Sequence, residues 1–179
     1  MNKAIGRWLA VAALLPALMM GGNAAAANNL RLHGALVAEP CVIPPGNEEI
    51  ELDFSTIIDK YLYLNTRTPG QKFEIRLAEC DISLGKSVSV TLSGTESLAL
   101  PGLLAVSAGS LATGIAIGLE TPAGKAVPMN KTGDKYSLQK GGNIIELRAY
   151  VRAEPLAIEK KAIGYGAFGA VATFSLAYE

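Results

Sequence analysis

The end of the sequence alternates apolar side chains with small or polar ones without interruption. The alternating positions are Gly166, Phe168, Ala170, Ala172, Phe174, Leu176 and Tyr178, with Glu179 after them. A period of two places all of these side chains on one face of a β-strand. Because strands usually have about 5–6 residues, the pattern predicts an unusually long last strand over 166–178, whose apolar face needs a core.

Shorter runs of the same period recur along the chain, separated by turn residues such as glycine, proline, asparagine and aspartate. The runs cover 50–54, 73–77, 88–92, 115–119 and 145–151. No sustained helical period is present, and only Ala105–Ala112 is predicted to hold a turn of helix. Short antiparallel strands with one apolar face predict an all-β sandwich of the immunoglobulin-like type.

The number of strands is one short of a complete sandwich. With the last strand included, the pattern supplies six strand regions, whereas an immunoglobulin-type sandwich has about seven. Two interpretations stay open at this point. Either the sandwich lacks a strand, or one strand escaped the count and the chain ends on its final core strand.

The first 27 residues have the three parts of a secretory signal peptide. Lys3 and Arg7 form a positive start, the apolar run Trp8–Met20 follows, and small alanines precede a cut after Ala27. A membrane anchor is the alternative, but a span needs roughly 20 apolar residues, more than this run has. We therefore expect residues 1–27 to be removed and the remainder of the chain to be exported.

Cys41 and Cys80 are the only cysteines in the chain. An even number of cysteines in an exported protein predicts a disulfide. Closing a loop of about 40 residues should stabilise the fold by about 4 kcal/mol in the chain-entropy model. A metal site is the alternative, but it would need more ligands than His33, the only histidine, can add.

The segment after the predicted cut, residues 28–38, also alternates. Leu30, Leu32, Gly34 and Leu36 share one side, with polar or small residues between them. The segment is either the first strand of its own domain or a donor strand that adds to the sheet edge of another copy. In the second case, three buried leucines at about 1.5–3 kcal/mol each would make a strong joint.

Both ends of the chain resemble those of pilin subunits from chaperone–usher pili, the type 1 and P-pilus family. At the C-terminus the resemblance rests on the penultimate Tyr178, on Gly166 as the fourteenth residue from the end, and on the alternation between them. At the N-terminus it rests on the alternating segment with Gly34, followed a few residues later by Cys41. The resemblance covers the whole chain after the signal peptide and assigns 39–179 to the pilin domain.

The resemblance implies a structural role and a mechanism of assembly. Such a subunit passes through the periplasm, lacks its seventh strand and exposes a groove beside its last strand. A periplasmic pilus chaperone would fill that groove and bind the terminal carboxylate of Glu179. At an outer-membrane usher, the extension of an adjacent subunit would replace the chaperone, which places the protein in a fimbrium on the cell surface.

The resemblance also assigns residues to the two halves of the joint. The donor residues are Leu30, Leu32, Gly34 and Leu36. The acceptor residues are Gly166, Phe168, Ala170, Ala172, Phe174, Leu176, Tyr178 and Glu179. Two shorter stretches, Leu98–Gly102 and Ala149–Pro155, resemble those of the minor adaptor pilin that joins the P-pilus tip fibre to the rod.

Other classes of function have little support in the sequence. Removing Lys3 and Arg7 from the 16 basic residues leaves 14 against 16 acidic ones, so the chain carries no charge that attracts nucleic acid. A catalytic triad would have to use His33, on the polar side of the N-terminal segment. We expect no enzyme activity, no metal or other cofactor, and no small-molecule substrate.

A sugar-binding adhesin with the same sandwich architecture is the alternative to a structural subunit. Tyr61 and Tyr63, in a stretch that reads as a loop, are its best candidates for stacking on sugar rings. A tip adhesin of the family would need a receptor-binding domain ahead of the pilin domain, and we expect no room for one in this chain.

Overall fold

The computed structural model describes residues 32–179. The predicted signal peptide, residues 1–27, and the first donor residue, Leu30, lie outside the described residues. Residues 32–39 have no regular secondary structure, and the side chains in this stretch are exposed. The parts that belong to sheets and helices all lie within Val37–Glu179, which forms a single unit.

The described residues form seven strands and two short helices. In chain order they are α1 (Asp59–Asn65), β1 (Gln71–Cys80), β2 (Ser87–Ser93), β3 (Leu104–Ala105), β4 (Ile115–Glu120), β5 (Thr132–Ser137), β6 (Gly141–Ala153), α2 (Pro155–Glu159) and β7 (Thr173–Tyr178). Every strand pair is antiparallel, and the predicted all-β class is confirmed.

One sheet has four strands in the order β1-β6-β4-β3. In its middle, β6 pairs Ile145 with Ile75 of β1 and Ala149 with Leu119 of β4. Because β6 has a neighbour on both edges, its inward side chains are covered from both sides, and residues such as Leu147 are almost fully buried.

The other sheet has three strands in the order β5-β2-β7. The central strand, β2, pairs Val88 with Tyr136 of β5 and Val90 with Leu176 of β7. On its second edge, β7 has no strand partner within the described chain. This last strand of the chain is therefore also the edge of its sheet.

Apolar side chains from both sheets fill the space between them, as in any face-to-face sandwich. The main cluster includes Ile75, Leu77, Val88, Val90, Leu92, Leu104, Ile117, Leu119, Ile145, Leu147 and Ala149. A smaller cluster lies under the helices and joins Leu62 of α1 and Ala157 of α2 to Ile115 and Val151.

A disulfide joins Cys41 to Cys80, as the cysteine count predicted, with 4.1 Å between the two Cα atoms. Both cysteines are buried. Beside them, Val42 and Ala78 exchange two backbone hydrogen bonds of 2.9 and 2.8 Å. The start of the domain is therefore fastened covalently and by hydrogen bonds to the end of β1.

The two helices differ from the sequence expectation. Asp59 in the first turn of α1 and Pro155 at the start of α2 suit those positions, but both helices are too short for their period to show. No helix forms over Ala105–Ala112. The Ser110 N–H closes one turn onto the Ser107 carbonyl, and the Leu111 N–H donates to the Ala167 carbonyl. No helix in the described part of the chain is long and apolar enough to cross a membrane.

The long strand predicted over 166–178 is wrong in its first half. Only β7 pairs with β2, and the ladder stops where Ser93, the last residue of β2, meets Thr173. Earlier residues have no strand left to pair with and bond to the loop before β4, where the Ser107 N–H donates to the Gly169 carbonyl at 2.7 Å.

The alternating run 50–54 also forms no paired strand. Its apolar members, Ile50, Leu52 and Phe54, are half-buried and pack against the main core, while the residues between them are exposed. The two-residue period therefore predicted correctly which side chains of this run face the core. It did not predict that the run has no strand beside it.

Candidate functional site

A groove opens on the sandwich between two runs of chain, residues 48–57 and residues 163–174, with a cavity volume of about 1230 Å³. Its floor is the core itself, formed by Phe73, Leu92, Leu104, Ile117, Leu119, Ala149 and Val151. A groove of this size lined mainly by apolar side chains is typical of an interaction site.

The first wall of the groove, residues 48–57, directs Ile50, Leu52 and Phe54 towards the core. The Phe54 ring lies 6.2 Å from the ring of Phe168 in the second wall, measured between centroids. This distance lies within the range of favourable aromatic pairs. The two walls therefore touch at this pair, although no backbone ladder joins them.

The second wall, residues 163–174, runs into β7. Five of the eight acceptor residues implied by the family resemblance line the groove here: Gly166, Phe168, Ala170, Ala172 and Phe174. Leu176 and Tyr178 pack against the core beyond the groove. The alternation thus spans the groove wall and the stretch of β7 beyond it, where both side chains are also half-buried.

The backbone conformation and the surroundings of Gly166 require a glycine at this position. Its φ of 135° is one that other residues rarely adopt, and a Cβ atom there would come within 2.4 Å of the Leu111 Cβ. A side chain at this position would push the second wall away from the loop before β4. The glycine therefore fixes where the wall begins.

Glu179 lies away from the groove, at the start of β2. Its main-chain oxygen accepts hydrogen bonds from the Lys86 N–H at 2.7 Å and the Ser87 N–H at 3.0 Å, and its own N–H donates to the Ser87 carbonyl. Its side-chain carboxylate contacts the Lys135 ammonium. These contacts fasten the last residue to the central strand of its sheet.

The surroundings of Tyr178, near the C-terminal end of β7, shift the pKa of its phenol. Burial raises its pKa above the ordinary value, and the negative charge of Glu39 raises it further. Burial also raises the pKa of Tyr136 on the other edge strand, with a smaller contribution from Asp134. Both phenols therefore favour the neutral form in the folded protein.

The groove reaches the start of β7, an edge strand with no second strand partner among the described residues. An edge strand presents backbone N–H and C=O groups that have no ladder partner, which makes it a template for another strand. With apolar side chains below and free backbone groups beside it, the groove has the two features that an added strand needs. Among the described residues, no group of three histidine, cysteine or acidic side chains could hold a metal ion.

Sequence reasoning missed the first wall as part of the site. The alternation of 50–54 was visible, but it predicted an ordinary paired strand. Tyr165, which lines the groove and donates its hydroxyl hydrogen to the Asp59 carboxylate at 3.3 Å, was also missed. A two-residue period reports which face is apolar, and nothing in it reports that the neighbouring strand is absent.

Relatives of known class share this sequence over most of its length. The chain is 34% identical over 174 residues to the fimbrial adapter PapK of Escherichia coli, which covers 93% of this chain and 96% of that protein. It is 33% identical over 159 residues to the uncharacterized fimbrial-like protein YfcP of Escherichia coli K12, covering 86% of this chain and 88% of the relative.

Solved structures share the fold. The P pilus rod subunit PapA matches with a TM-score of 0.68 and 26% identity, over 79% of this chain and all of that one. A subunit in the structure of a chaperone–usher pilus matches with a TM-score of 0.68 and 25% identity, over 84% of this chain and 94% of that one. These likenesses confirm the immunoglobulin-like sandwich that lacks a strand. The family model described as "Fimbrial protein" matches residues 30–179, and the chain therefore belongs to the fimbrial protein family as a structural pilus subunit.

Proposed function

We propose that this pilus subunit is joined to its neighbours by donor-strand exchange. In this mechanism the groove between residues 48–57 and 163–174 accepts an extended strand, and residues 28–38 supply one to the adjacent subunit. The observation that carries the proposal is the groove itself, about 1230 Å³ in volume and floored by the core. The groove reaches the start of β7, at Thr173 and Phe174, and β7 has no second strand partner within the described chain.

Burial supports the need for an added strand. Phe174 and Leu176 of β7 and Leu52 of the first wall stay half-buried although all three pack on the main core. Covering apolar surface contributes about 25 cal/mol per Å², so a strand laid in the groove would gain free energy from both walls. An open apolar edge is also an aggregation hazard that a periplasmic chaperone would need to cover.

The state of the N-terminal segment fits the donor role. Residues 32–39 form no strand of the sandwich, and Leu32 and Leu36 are 83% and 104% exposed. Exposed leucines at alternate positions suit a segment that becomes buried in another molecule. Gly34 between them would allow close approach of the two backbones at one position.

Export and partners complete the proposal. Residues 1–27 act as a signal peptide, the subunit crosses the periplasm with a chaperone in its groove, and an outer-membrane usher hands it to the adjacent subunit. It then forms part of a fimbrium outside the cell. The role is structural, so it involves no catalysis, cofactor, nucleic acid or small-molecule substrate.

We assign the subunit to an adaptor position in its fibre. The support is the likeness to a fimbrial adapter, which extends over 93% of this chain at 34% identity. The sugar-binding alternative loses its main support, because Tyr61 and Tyr63 lie in α1 and not on a loop. The Tyr63 hydroxyl accepts a hydrogen bond from the Ile163 N–H at 3.2 Å, which gives it a structural task.

Strand addition in one chain tests the proposal. Residues 28–38 are appended after Glu179 on a flexible linker, and Leu30→Asp and Leu32→Asp in the N-terminal copy leave only the appended strand able to fill the groove. Since each buried leucine contributes about 1.5–3 kcal/mol and 1 kcal/mol shifts the midpoint by about 2–4 °C, we expect the thermal midpoint to rise by at least about 10 °C. The control carries the same two aspartates in the appended copy as well, and equal midpoints for the two proteins would contradict the acceptor groove.

Assembly tests the donor role separately. Leu30→Asp with Leu32→Asp in the otherwise unchanged chain should abolish incorporation into fibres, because charged side chains cannot enter an apolar groove without a large desolvation cost. The chaperone complex should form normally, since the groove is intact. Fibres counted by electron microscopy and co-purified chaperone measure the two effects, and normal fibre assembly by the variant would refute the donor role.

A further inference from the structure

The groove has one charged wall and one uncharged wall. We call residues 48–53 the acidic wall, because Glu48, Glu49, Glu51 and Asp53 lie on it and are all exposed. Asp59 lines the groove beyond the end of this wall. No lysine or arginine of the described chain lines the groove.

The acidic wall has no counter-charge of its own. Within the described residues, none of its four carboxylates takes part in an ion pair. Glu48 accepts a hydrogen bond from the Gly46 N–H and Asp53 accepts one from the Ser55 N–H. Both are local turn contacts, which leave the negative charge of the wall uncompensated.

The opposite wall carries no charge at all. Residues 163–174 contain only apolar, aromatic and small residues apart from Thr173. A strand lying between the two walls would therefore meet charged neighbours on one side only. The sign of the charge on its own outward-facing residues then decides whether that side attracts or repels it.

The geometry of neighbouring strands makes this contact close. Side chains directly opposite each other on paired strands have Cβ atoms about 4.5–5.5 Å apart, and opposite charges at such positions are favourable while like charges are not. Because Ile50 and Leu52 point to the core, Glu49, Glu51 and Asp53 lie on the outward face. They would stand beside the outward residues of any strand that filled the groove.

We propose that the acidic wall selects which donor strand the groove accepts, favouring a strand with apolar residues on its inward face and cationic residues on its outward face. The inference rests on the donor-strand function proposed above and adds a rule of selection to it. The N-terminal segment of this chain has the required pattern. Arg31 places a cation between Leu30 and Leu32, and the first acidic residue of the segment is Glu39, beyond the donor residues.

The test compares five versions of the chain with the appended strand, four in two matched pairs and a fifth with Arg31→Lys in that strand. In all of them Leu30→Asp and Leu32→Asp silence the N-terminal copy. The first keeps Arg31 in the appended strand, and the second carries Arg31→Glu there. The third and fourth repeat this pair with the acidic wall neutralised by Glu49→Gln, Glu51→Gln and Asp53→Asn. The thermal midpoint is measured at low salt and at about 1 M salt, where the screening length falls to about 3 Å.

With the acidic wall intact, Arg31→Glu in the appended strand should lower the midpoint by about 2–4 °C at low salt. The loss should fall below about 1 °C with the neutralised wall or in high salt. Arg31→Lys in the appended strand keeps the positive charge, so this version should have the same thermal midpoint as the version with Arg31. An equal loss in both wall backgrounds, or no loss in either, would overturn charge selection while leaving the acceptor groove standing. Failure of the appended strand to raise the midpoint in any version would overturn the groove and the selection rule together.

Discussion

Strands β6 and β7 carry the same alternating pattern but lie in different surroundings. β6 has β1 on one edge and β4 on the other, and its inward residues Leu147 and Val151 are 1% and 0% exposed. β7 has only β2 as a neighbour, and its inward residues Phe174 and Leu176 stay half-buried. Since the residue types are similar, the difference reflects the neighbour and not the composition.

The contrast shows where the sandwich is finished and where it is not. In the four-stranded sheet β6 has a strand on each edge, and a disulfide fastens the end of β1. In the other sheet β7 is an edge strand, and the apolar side chains of the groove walls beside it stay half-buried. The unfinished region is thus local: it lies between β7 and the unpaired run 48–57.

Truncating one leucine on each strand gives the largest expected difference. Leu147→Ala in β6 should lower the free energy of unfolding by about 2–5 kcal/mol, because it opens a cavity in a fully packed site. Leu176→Ala in β7 should cost only about 1–2 kcal/mol, since part of that side chain is already in water. Urea unfolding of the two variants, which match in residue type and in change of volume, measures both values. Equal losses would show that the two strands are equally covered in solution.

The sequence predicted the finished part of the fold better than the unfinished part. β2, β4 and β6 followed from their alternation because each has a buried apolar face that the pattern records. Strand β5 was missed: Gly133 and Asp134 read as a turn, and as an edge strand it has only Tyr136 as an apolar anchor. Such a strand is held by backbone pairing with β2, which leaves little trace in the residue types.

The site was predicted from one side only. Phe168 and Phe174 were named from the resemblance of the C-terminus, and both line the groove. The opposite wall was not predicted as part of the site, because Ile50 and Leu52 follow the same alternation as an ordinary paired strand. Whether a run of chain has a strand beside it depends on residues far away in the sequence, so periodicity alone cannot report an empty position in a sheet.

Truncating one phenylalanine of the groove shows whether an added strand covers the unfinished edge. In the chain without an appended strand, Phe174→Ala should lower the free energy of unfolding by about 1–2 kcal/mol, because the ring is half-exposed. With the donor strand appended, the ring becomes enclosed, and the same change should cost about 3–5 kcal/mol.

The cost of Phe174→Ala should thus be roughly 2 kcal/mol larger when the donor strand is appended. This difference measures the coupling between the Phe174 ring and the appended strand. Leu147→Ala in β6 is the matched control and should cost the same with and without the appended strand. If Phe174→Ala cost the same in both backgrounds as well, the appended strand would not cover this part of the groove.

The smallest expected effect is on the pH dependence of stability and concerns Tyr178, at the C-terminal end of β7 beyond the groove. Burial holds the pKa of its phenol above the ordinary value of 10.0, so the folded state keeps the neutral form at a pH where the unfolded chain has begun to ionise. The resulting stability is present below about pH 10 and is lost as the pH rises through the folded pKa. Tyr178→Phe should therefore flatten the fall in unfolding free energy above pH 10. Because Tyr178 does not line the groove, this flattening should be the same with and without the appended strand. A slope that changed only when the strand was added would place Tyr178 inside the unfinished region and move the boundary between the two parts of β7.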